Sequence, residues 1–366
     1  MNVYPLENIT LQQAMQKQFR LVDCITRYFS GSESLTRGDL GVRQPGNQPL
    51  TTHKAEQAIA AFFGAEDCIL VRGSGTGAIR YGLSAMVKPQ AKILIHQAPA
   101  YSTTQTSFEM FGLIAVEADF NDPEAIVRTL KENPDICGAL VQHSRQKIDD
   151  RYGLAEVITV IKQTADIPVL IDDNYGVMKV DRIGCECGAD LSCFSTFKLQ
   201  GPEGIGCVVG KQKYIERIRK MHYSGGSQTQ GWEALEVLRG LTLAPVMLAL
   251  ADQAAKEALS RIQAGEIAGI KNAYLANAQS KVLLIELREP IAKKVLAAAE
   301  KHGALPNPVG AESKYELAPM FYRVSGTFLR SDPTYADTMI RINPNRAGAE
   351  TVLRILAESI QDAQTA

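Results

Sequence analysis

This sequence has no surplus of charge, no long apolar run and no cysteine framework. Lys and Arg total 39 against 40 Asp and Glu, a net charge of −1, which gives no electrostatic footprint for nucleic acid or an anionic lipid surface. The most apolar run, residues 241–251, contains Pro245 and is closed by Asp252, well under the ~18 apolar residues of a membrane span. Seven cysteines without regular spacing fit the reduced thiols of a cytoplasmic protein rather than a disulfide scaffold. The histidines (His53, His96, His143, His222 and His302) lack metal-ligand spacing and Cys185 and Cys187 form an isolated pair, so no metal centre is expected. Residues 1–20 lack the apolar stretch of a secretory signal, and the expectation is a soluble, non-exported chain.

What is present is the balance of an ordinary globular protein: 366 residues, 45% hydrophobic and 22% charged, enough for two or three domains. Glycines and prolines break residues 1–50, which read as an arm or irregular entry segment. From residue 51, helical patterns alternate with short apolar runs near 68–72, 91–96, 113–118, 137–142, 167–171, 190–194 and 205–209, the signature of an α/β domain with a mostly parallel sheet. This large domain is expected to end at residue 245. A long helix over 230–263, kinked or split by Pro245, then connects to a smaller α+β domain within 246–366. That domain is expected to hold a strand at 281–287, a helix after Pro290, strands at 320–328 and 339–342, and a closing helix from Ala347.

The run 68–72 reads as a strand, and Gly73-Ser74-Gly75-Thr76-Gly77 follows it at the start of a helix. Free amides of a first helical turn and the positive end of the helix dipole form an anion site, and a phosphate is the natural guest. The glycines alone also suit a tight turn with no ligand. A dinucleotide fold is disfavoured because no Asp or Glu occurs between Asp67 and Glu109 to hold a ribose hydroxyl, and a nucleotide-triphosphate loop because Gly210-Lys211 lacks its other residues.

A buried run, 167–171, ends in Asp172-Asp173-Asn174-Tyr175-Gly176, and strand carboxyl ends face the ligand crevice of such sheets. Further on, Lys198 lies between Phe197 and Leu199 at another strand exit, where desolvation makes an amine a better nucleophile. Taken singly, Asp172 can cap a turn and Lys198 can snorkel to water. Together, an anion cradle, a strand-end acid and a strand-end lysine are the parts that hold pyridoxal phosphate.

In these motifs, from about Arg37 to its end, the sequence resembles the fold type I pyridoxal-phosphate enzymes, the superfamily of aspartate aminotransferase and the cystathionine lyases. Within it the sequence is nearest the YhfS group of bacterial proteins. The resemblance implies a large domain with a seven-stranded, mostly parallel sheet plus a smaller C-terminal domain, and pyridoxal 5'-phosphate as cofactor. It implies that Ser74, Gly75 and Thr76 bind the cofactor phosphate, with Ser195 of Ser195-Thr196-Phe197-Lys198 as a further phosphate ligand. Tyr101 is then the residue stacked on the pyridine ring, and Asp172, preferred over Asp173, the partner of the ring nitrogen. Tyr175 is placed near the ring hydroxyl and Lys198 is the Schiff-base lysine. Arg341, in Met339-Ile340-Arg341-Ile342-Asn343, matches the arginine that forks the substrate carboxylate.

One segment departs from the family: Gln142-His143-Ser144-Arg145 replaces its usual asparagine-containing turn, leaving Gln142 or Ser144 as substitutes at the ring hydroxyl. The segment 225–229 resembles ones that reach a neighbouring subunit's phosphate, which implies a homodimer with shared sites; for Thr229 a helix cap is preferred. The expected partner is a small amino-acid substrate, with no nucleic acid and no membrane. The expected activity is aminotransferase-like, with elimination or replacement at sulfur amino acids as the alternative. A nicotinamide oxidoreductase leaves Lys198 and Arg341 without roles, and a non-catalytic cofactor-binding protein keeps the fold without turnover.

Overall fold

The computed structural model describes residues 2–41, 43–98, 101–278 and 280–365. The chain forms two compact units, the larger from Met15–His143 and Arg151–Pro245, the smaller from Met1–Ala14, Ser144–Asp150 and Val246–Ala366. In chain order the first elements are α1 (Leu11–Tyr28), α2 (Leu50–Phe63), β1 (Asp67–Arg72), α3 (Ser74–Met86), β2 (Lys92–His96), α4 (Ser102–Phe111), β3 (Ile114–Ala118) and α5 (Pro123–Glu132). Then come β4 (Ile136–Gln142), α6 (Leu154–Thr164), β5 (Val169–Asp172), β6 (Leu191–Ser195), β7 (Ile205–Gly210), α7 (Gln212–Met221) and α8 (Gly231–Gln263). The last are β8 (Ile270–Ala278), β9 (Ser280–Leu287), α9 (Ala292–Lys301), β10 (Met320–Arg323), α10 (Gly326–Ser331), α11 (Tyr335–Thr338), β11 (Met339–Asn343) and α12 (Ala349–Thr365).

Seven strands in the order β1-β7-β6-β5-β4-β2-β3 form the sheet of the larger unit. The pairs β2/β3, β2/β4, β4/β5 and β5/β6 are parallel, while β7 runs antiparallel to both β6 and β1. Strands β5, β6 and β7 are buried along their whole length, which is why they read as unbroken apolar runs rather than alternating ones. The pleat sends Leu140, Leu170 and Leu191 into one core with Leu83 and Ile215. Their neighbours Val141, Val169 and Ile171 enter the other core with Ile158 and Ile161. Each such side chain contributes roughly 1.5–3 kcal/mol relative to exposure.

Within residues 1–50, expected to be an arm or irregular entry segment, residues 11–28 form a regular helix, α1. Helix α1 buries Leu21 and Cys24, spaced three apart as one helical face requires. The Arg20 guanidinium lies 4.5 Å above the Phe62 ring, and Lys17 Nζ donates to the Asp181 carbonyl at 2.7 Å. Nor does Pro245 split the long helix: α8 runs through it, held by buried Leu241, Ala244, Leu248 and Ala249 on both sides. The most apolar window of this helix, with mean hydropathy 1.6, is 56% buried within the protein.

The smaller unit has an antiparallel sheet in the order β10-β11-β9-β8. Leu283, Ile285, Phe321, Ile340 and Ile342 of this sheet share a core with Leu353 and Leu356 of α12. Strand β8 was not expected, because its asparagines disguise it; Asn277 is buried and accepts the Leu6 amide at 3.0 Å. The strand expected over 320–328 stops at Arg323, where Ser325 caps α10 by accepting the Phe328 amide at 3.4 Å.

Candidate active site

The carboxyl ends of three strands lie side by side, Gln142 in register with Asp172 and Asp172 with Cys193. The turn from β1 into α3 arrives at the same edge. Gly73 and Ser74 both have left-handed backbones, φ +94° and +57°, and their amides donate to the Gly204 carbonyl at 2.8 and 3.0 Å. Holding a serine there costs roughly 1–2 kcal/mol, strain of the kind that gathers at ligand sites. The result is that Ser74 Oγ stands 2.6 Å from Ser195 Oγ, at the end of β6. Among the described residues the amides of Gly75 and Thr76 have no hydrogen-bond partner, as the first turn of a helix leaves them.

Asn174 joins these pieces. Its amide nitrogen donates to Asp172 Oδ1 at 2.7 Å, its backbone N–H to the same oxygen at 3.1 Å, and its Oδ1 accepts the Ser195 amide at 2.9 Å. A Cβ on Gly75 would fall 2.0 Å from that Oδ1, so glycine at 75 is what lets α3 approach. The motif singled out Asn174 only as a neighbour of Asp172; the missing Cβ at 75 was the signal for its role. Asp172 does cap the turn, as its alternative reading had it, while keeping Oδ2 out of that contact. Burial raises the Asp172 pKa, the neighbouring Asp173 adds to the rise, and the Asn174 hydrogen bonds and the Lys198 charge oppose it.

Asp173 is fully buried and spent elsewhere: its Oδ1 meets His143 Nδ1 at 2.6 Å and its Oδ2 accepts the Gly184 amide at 3.1 Å. The histidine's own amide donates to the Asp172 carbonyl at 3.0 Å. This pair, absent from the sequence reading, locks the turn after β4 to the end of β5. Lys198 occupies a short 3-10 turn after β6, half-buried, with Nζ 4.9 Å from the centre of the Tyr175 ring.

Thr76 Oγ1 donates to Thr103 Oγ1 at 3.1 Å, which ties α3 to the start of α4, where Tyr101 is the flanking residue and 37% exposed. Arg341 lies in the smaller unit on β11, buried, with its guanidinium 4.1 Å from the Tyr322 ring centre and Nε donating to the Arg323 carbonyl at 2.8 Å. Ser144 also belongs to the smaller unit. Thr229 is not the cap of α8. It is buried and its hydroxyl donates to the Leu70 carbonyl at 3.0 Å, while the Glu233 carboxylate accepts the Gln230 amide at 2.8 Å and closes the helix start.

The donor set fits pyridoxal phosphate. Two hydroxyls 2.6 Å apart and the free amides of Gly75 and Thr76 make an anion cradle. A desolvated carboxyl group with a raised pKa is short of the positive charge that a protonated ring nitrogen brings.

A family model described as Aminotransferase class-V matches residues 15–236, and one described as YhfS-like, C-terminal domain, matches residues 256–356. The chain is 54% identical to the protein YhfS of Escherichia coli (strain K12), over 98% of this chain and 99% of that one. The crystal structure of the pyridoxal-5'-phosphate dependent protein YhfS from Escherichia coli matches with a TM-score of 0.97 at 53% identity, covering 99% of each chain. A probable cysteine desulfurase of Pasteurella multocida (strain Pm70) is 24% identical over 56% of this chain and 50% of its own. A methionine gamma lyase from Micromonospora echinospora shares the fold, with a TM-score of 0.68 at 17% identity over 88% of this chain and 92% of that one.

Proposed function

Because this chain belongs to the aminotransferase class-V family of fold type I enzymes, with pyridoxal 5'-phosphate as cofactor, we propose that it moves the α-proton of a free amino acid with Lys198 and that the outcome is transamination. The observation that supports this reading most is the meeting of Ser74, Ser195, Asn174 and Asp172 at one sheet edge, one short turn from Lys198. Bound, the cofactor supplies an electron sink for the negative charge that develops at the α-carbon.

The chain's own residues do the rest. Ser74 and Ser195 hydroxyls, with the Gly75 and Thr76 amides, bind the phosphate. Asp172 holds a proton on the ring nitrogen, since a carboxylate stabilises the charged form of a neighbouring base. Tyr101 covers one ring face, and Gln142, beside Asp172 in register, takes the ring hydroxyl. Lys198 Nζ accepts the α-proton as base and returns it as acid. The Tyr175 ring orients Nζ through its face. Arg341 binds the substrate carboxylate through its two terminal guanidinium nitrogens.

A screen of amino acids against the loaded protein, with and without a 2-keto acid acceptor, tests the outcome. New keto acid that appears only with the acceptor supports transamination. Thiol, sulfide or ammonia released without an acceptor contradicts it and supports the second reading, cleavage of a carbon–sulfur bond, which the likeness to a probable cysteine desulfurase favours.

The same proposal includes a cytoplasmic homodimer. Its cysteines are unpaired, and Leu35, Leu40 and Trp232 are exposed at 85%, 74% and 48%. Their segments are joined by the Gly231 amide donating to the Asp39 carbonyl at 3.1 Å and by Arg239 donating to the Ser34 carbonyl at 3.0 Å. An apolar patch of that kind marks an interface. Light scattering at the mass of one chain would refute it.

A further inference from the structure

Residues 306–319, between α9 and β10, form no helix or strand, yet the segment is fixed from several sides. The buried Glu316 carboxylate accepts the Val309, Gly310 and Ser313 amides at 2.7, 2.8 and 2.8 Å, and the Ser313 hydroxyl as well. Arg346 donates to the Ser313 carbonyl at 3.0 Å and to the Glu316 carbonyl, and Asn345 Nδ2 donates to the Ala318 carbonyl at 2.8 Å. Asn345 and Arg346 lie directly after β11, so the segment is tied to the strand that carries Arg341. Ala311, the residue before Glu312, has a left-handed backbone at φ +71°, strain of the kind kept where a side chain must be presented.

The side chain so presented lies on the face of the smaller sheet that holds Arg341. Along β11, Ile340 and Ile342 enter one core, while Met339 packs in another with Met320 and Tyr322. Arg341 and Asn343 therefore share the Tyr322 face. Tyr322 is opposite Arg341 in register, and Glu312, itself buried, accepts Asn343 Nδ2 at 3.3 Å through Oε1. The Tyr322 phenol responds to both charges: burial pushes its pKa up to about 12, the Arg341 guanidinium opposes the rise and the Glu312 carboxylate adds to it. A buried guanidinium and a buried carboxylate beside one ring offset each other's loss of water.

We propose that Glu312 is a positioning residue, the resident counter-charge of Arg341, which holds the guanidinium in the unliganded protein and weakens its grip on a substrate carboxylate. The inference rests on the reading of Arg341 as the substrate anchor. When an amino acid binds, two carboxylates share one guanidinium, and their repulsion lowers affinity. Glu312 thereby sets KM rather than the rate of proton transfer at Lys198.

The probe is 2-aminoisobutyrate, an amino acid without an α-proton, whose binding to the cofactor-loaded full chain is read from the visible spectrum and stops before proton transfer. Glu312→Gln keeps an oxygen for Asn343 and loses only the charge, so it should bind the probe about three- to thirtyfold more tightly than wild type. Arg341→Lys should bind it about tenfold or more weakly. Melting reads the pair without any substrate. Glu312→Gln and Arg341→Met each leave one buried charge alone and should melt below wild type, while the double variant, with neither charge, should melt above both single ones. Equal or weaker probe binding in Glu312→Gln, with the expected loss in Arg341→Lys, overturns the proposal alone. So do losses of melting temperature that simply add in the double variant. Undiminished binding in Arg341→Lys overturns the anchor reading and the proposal with it.

Discussion

Asp172→Asn separates the two states of this protein by sign. Asn keeps the oxygen that accepts the two Asn174 hydrogen bonds at 2.7 and 3.1 Å and loses only the charge. In the cofactor-free chain burial raises the Asp172 pKa, so the folded state prefers the protonated group. A carboxyl group of this kind favours folding below its unfolded pKa, and that advantage is lost as pH rises through the higher folded value. Cofactor-free Asp172→Asn is therefore expected to melt above wild type at pH 7, with the difference vanishing below about pH 4, where the carboxyl is protonated in both states. With the cofactor bound, the proposed role of Asp172 opposite a protonated ring nitrogen reverses the expected effect, since neutralising one side of a buried ion pair costs about 3–5 kcal/mol. That is upward of about a hundredfold in the Kd for pyridoxal phosphate. Scanning calorimetry of the cofactor-free pair at two pH values and a cofactor titration measure both arms. A variant that melts lower than wild type at pH 7 without cofactor and still binds pyridoxal phosphate equally well would refute the reasoning.

Ser195→Ala removes a hydroxyl 2.6 Å from Ser74 Oγ and is expected to weaken pyridoxal phosphate by about ten- to a hundredfold, the worth of a hydrogen bond to a charged group, while leaving unphosphorylated pyridoxal unaffected; equal losses for both ligands would contradict the phosphate role. Arg341→Lys should raise the amino-acid KM by about tenfold or more with a smaller change in kcat, because lysine cannot reproduce the two-pronged contact; steady-state kinetics decide it. Arg219→Met leaves the buried Glu56 carboxylate, 2.8 Å from the guanidinium, without its counter-charge and should destabilise the larger unit by about 3–5 kcal/mol. Chemical denaturation reads that loss, and Glu56→Gln in the same background should restore much of it.

The strands of the larger unit were legible because each is a short apolar run between turn residues, as in Val169-Leu170-Ile171 before Asp172. The helix α1 was hidden by its own surface: Leu21 and Cys24 are buried, but Met15, Phe19 and Val22 are exposed apolar residues that blur the stripe. Strand β8 was missed because Asn272 and Asn277 have low strand propensity; tertiary bonds, such as Asn272 donating to Glu286 at 2.7 Å, hold it. At the site, Ser74, Asp172, Ser195 and Lys198 stood in recognisable motifs. Asn174 and the His143–Asp173 pair did not, since their roles come from contacts across three strands that no local pattern encodes.

Position 198 carries the central claim, and borohydride reduction of the loaded protein followed by peptide mapping addresses it most directly. The account predicts that the visible band bleaches and that one phosphopyridoxyl group is found on the peptide containing Lys198. Modification instead at Lys179, whose Nζ lies 5.8 Å from the same Tyr175 ring, or a protein that takes up no label, would contradict it.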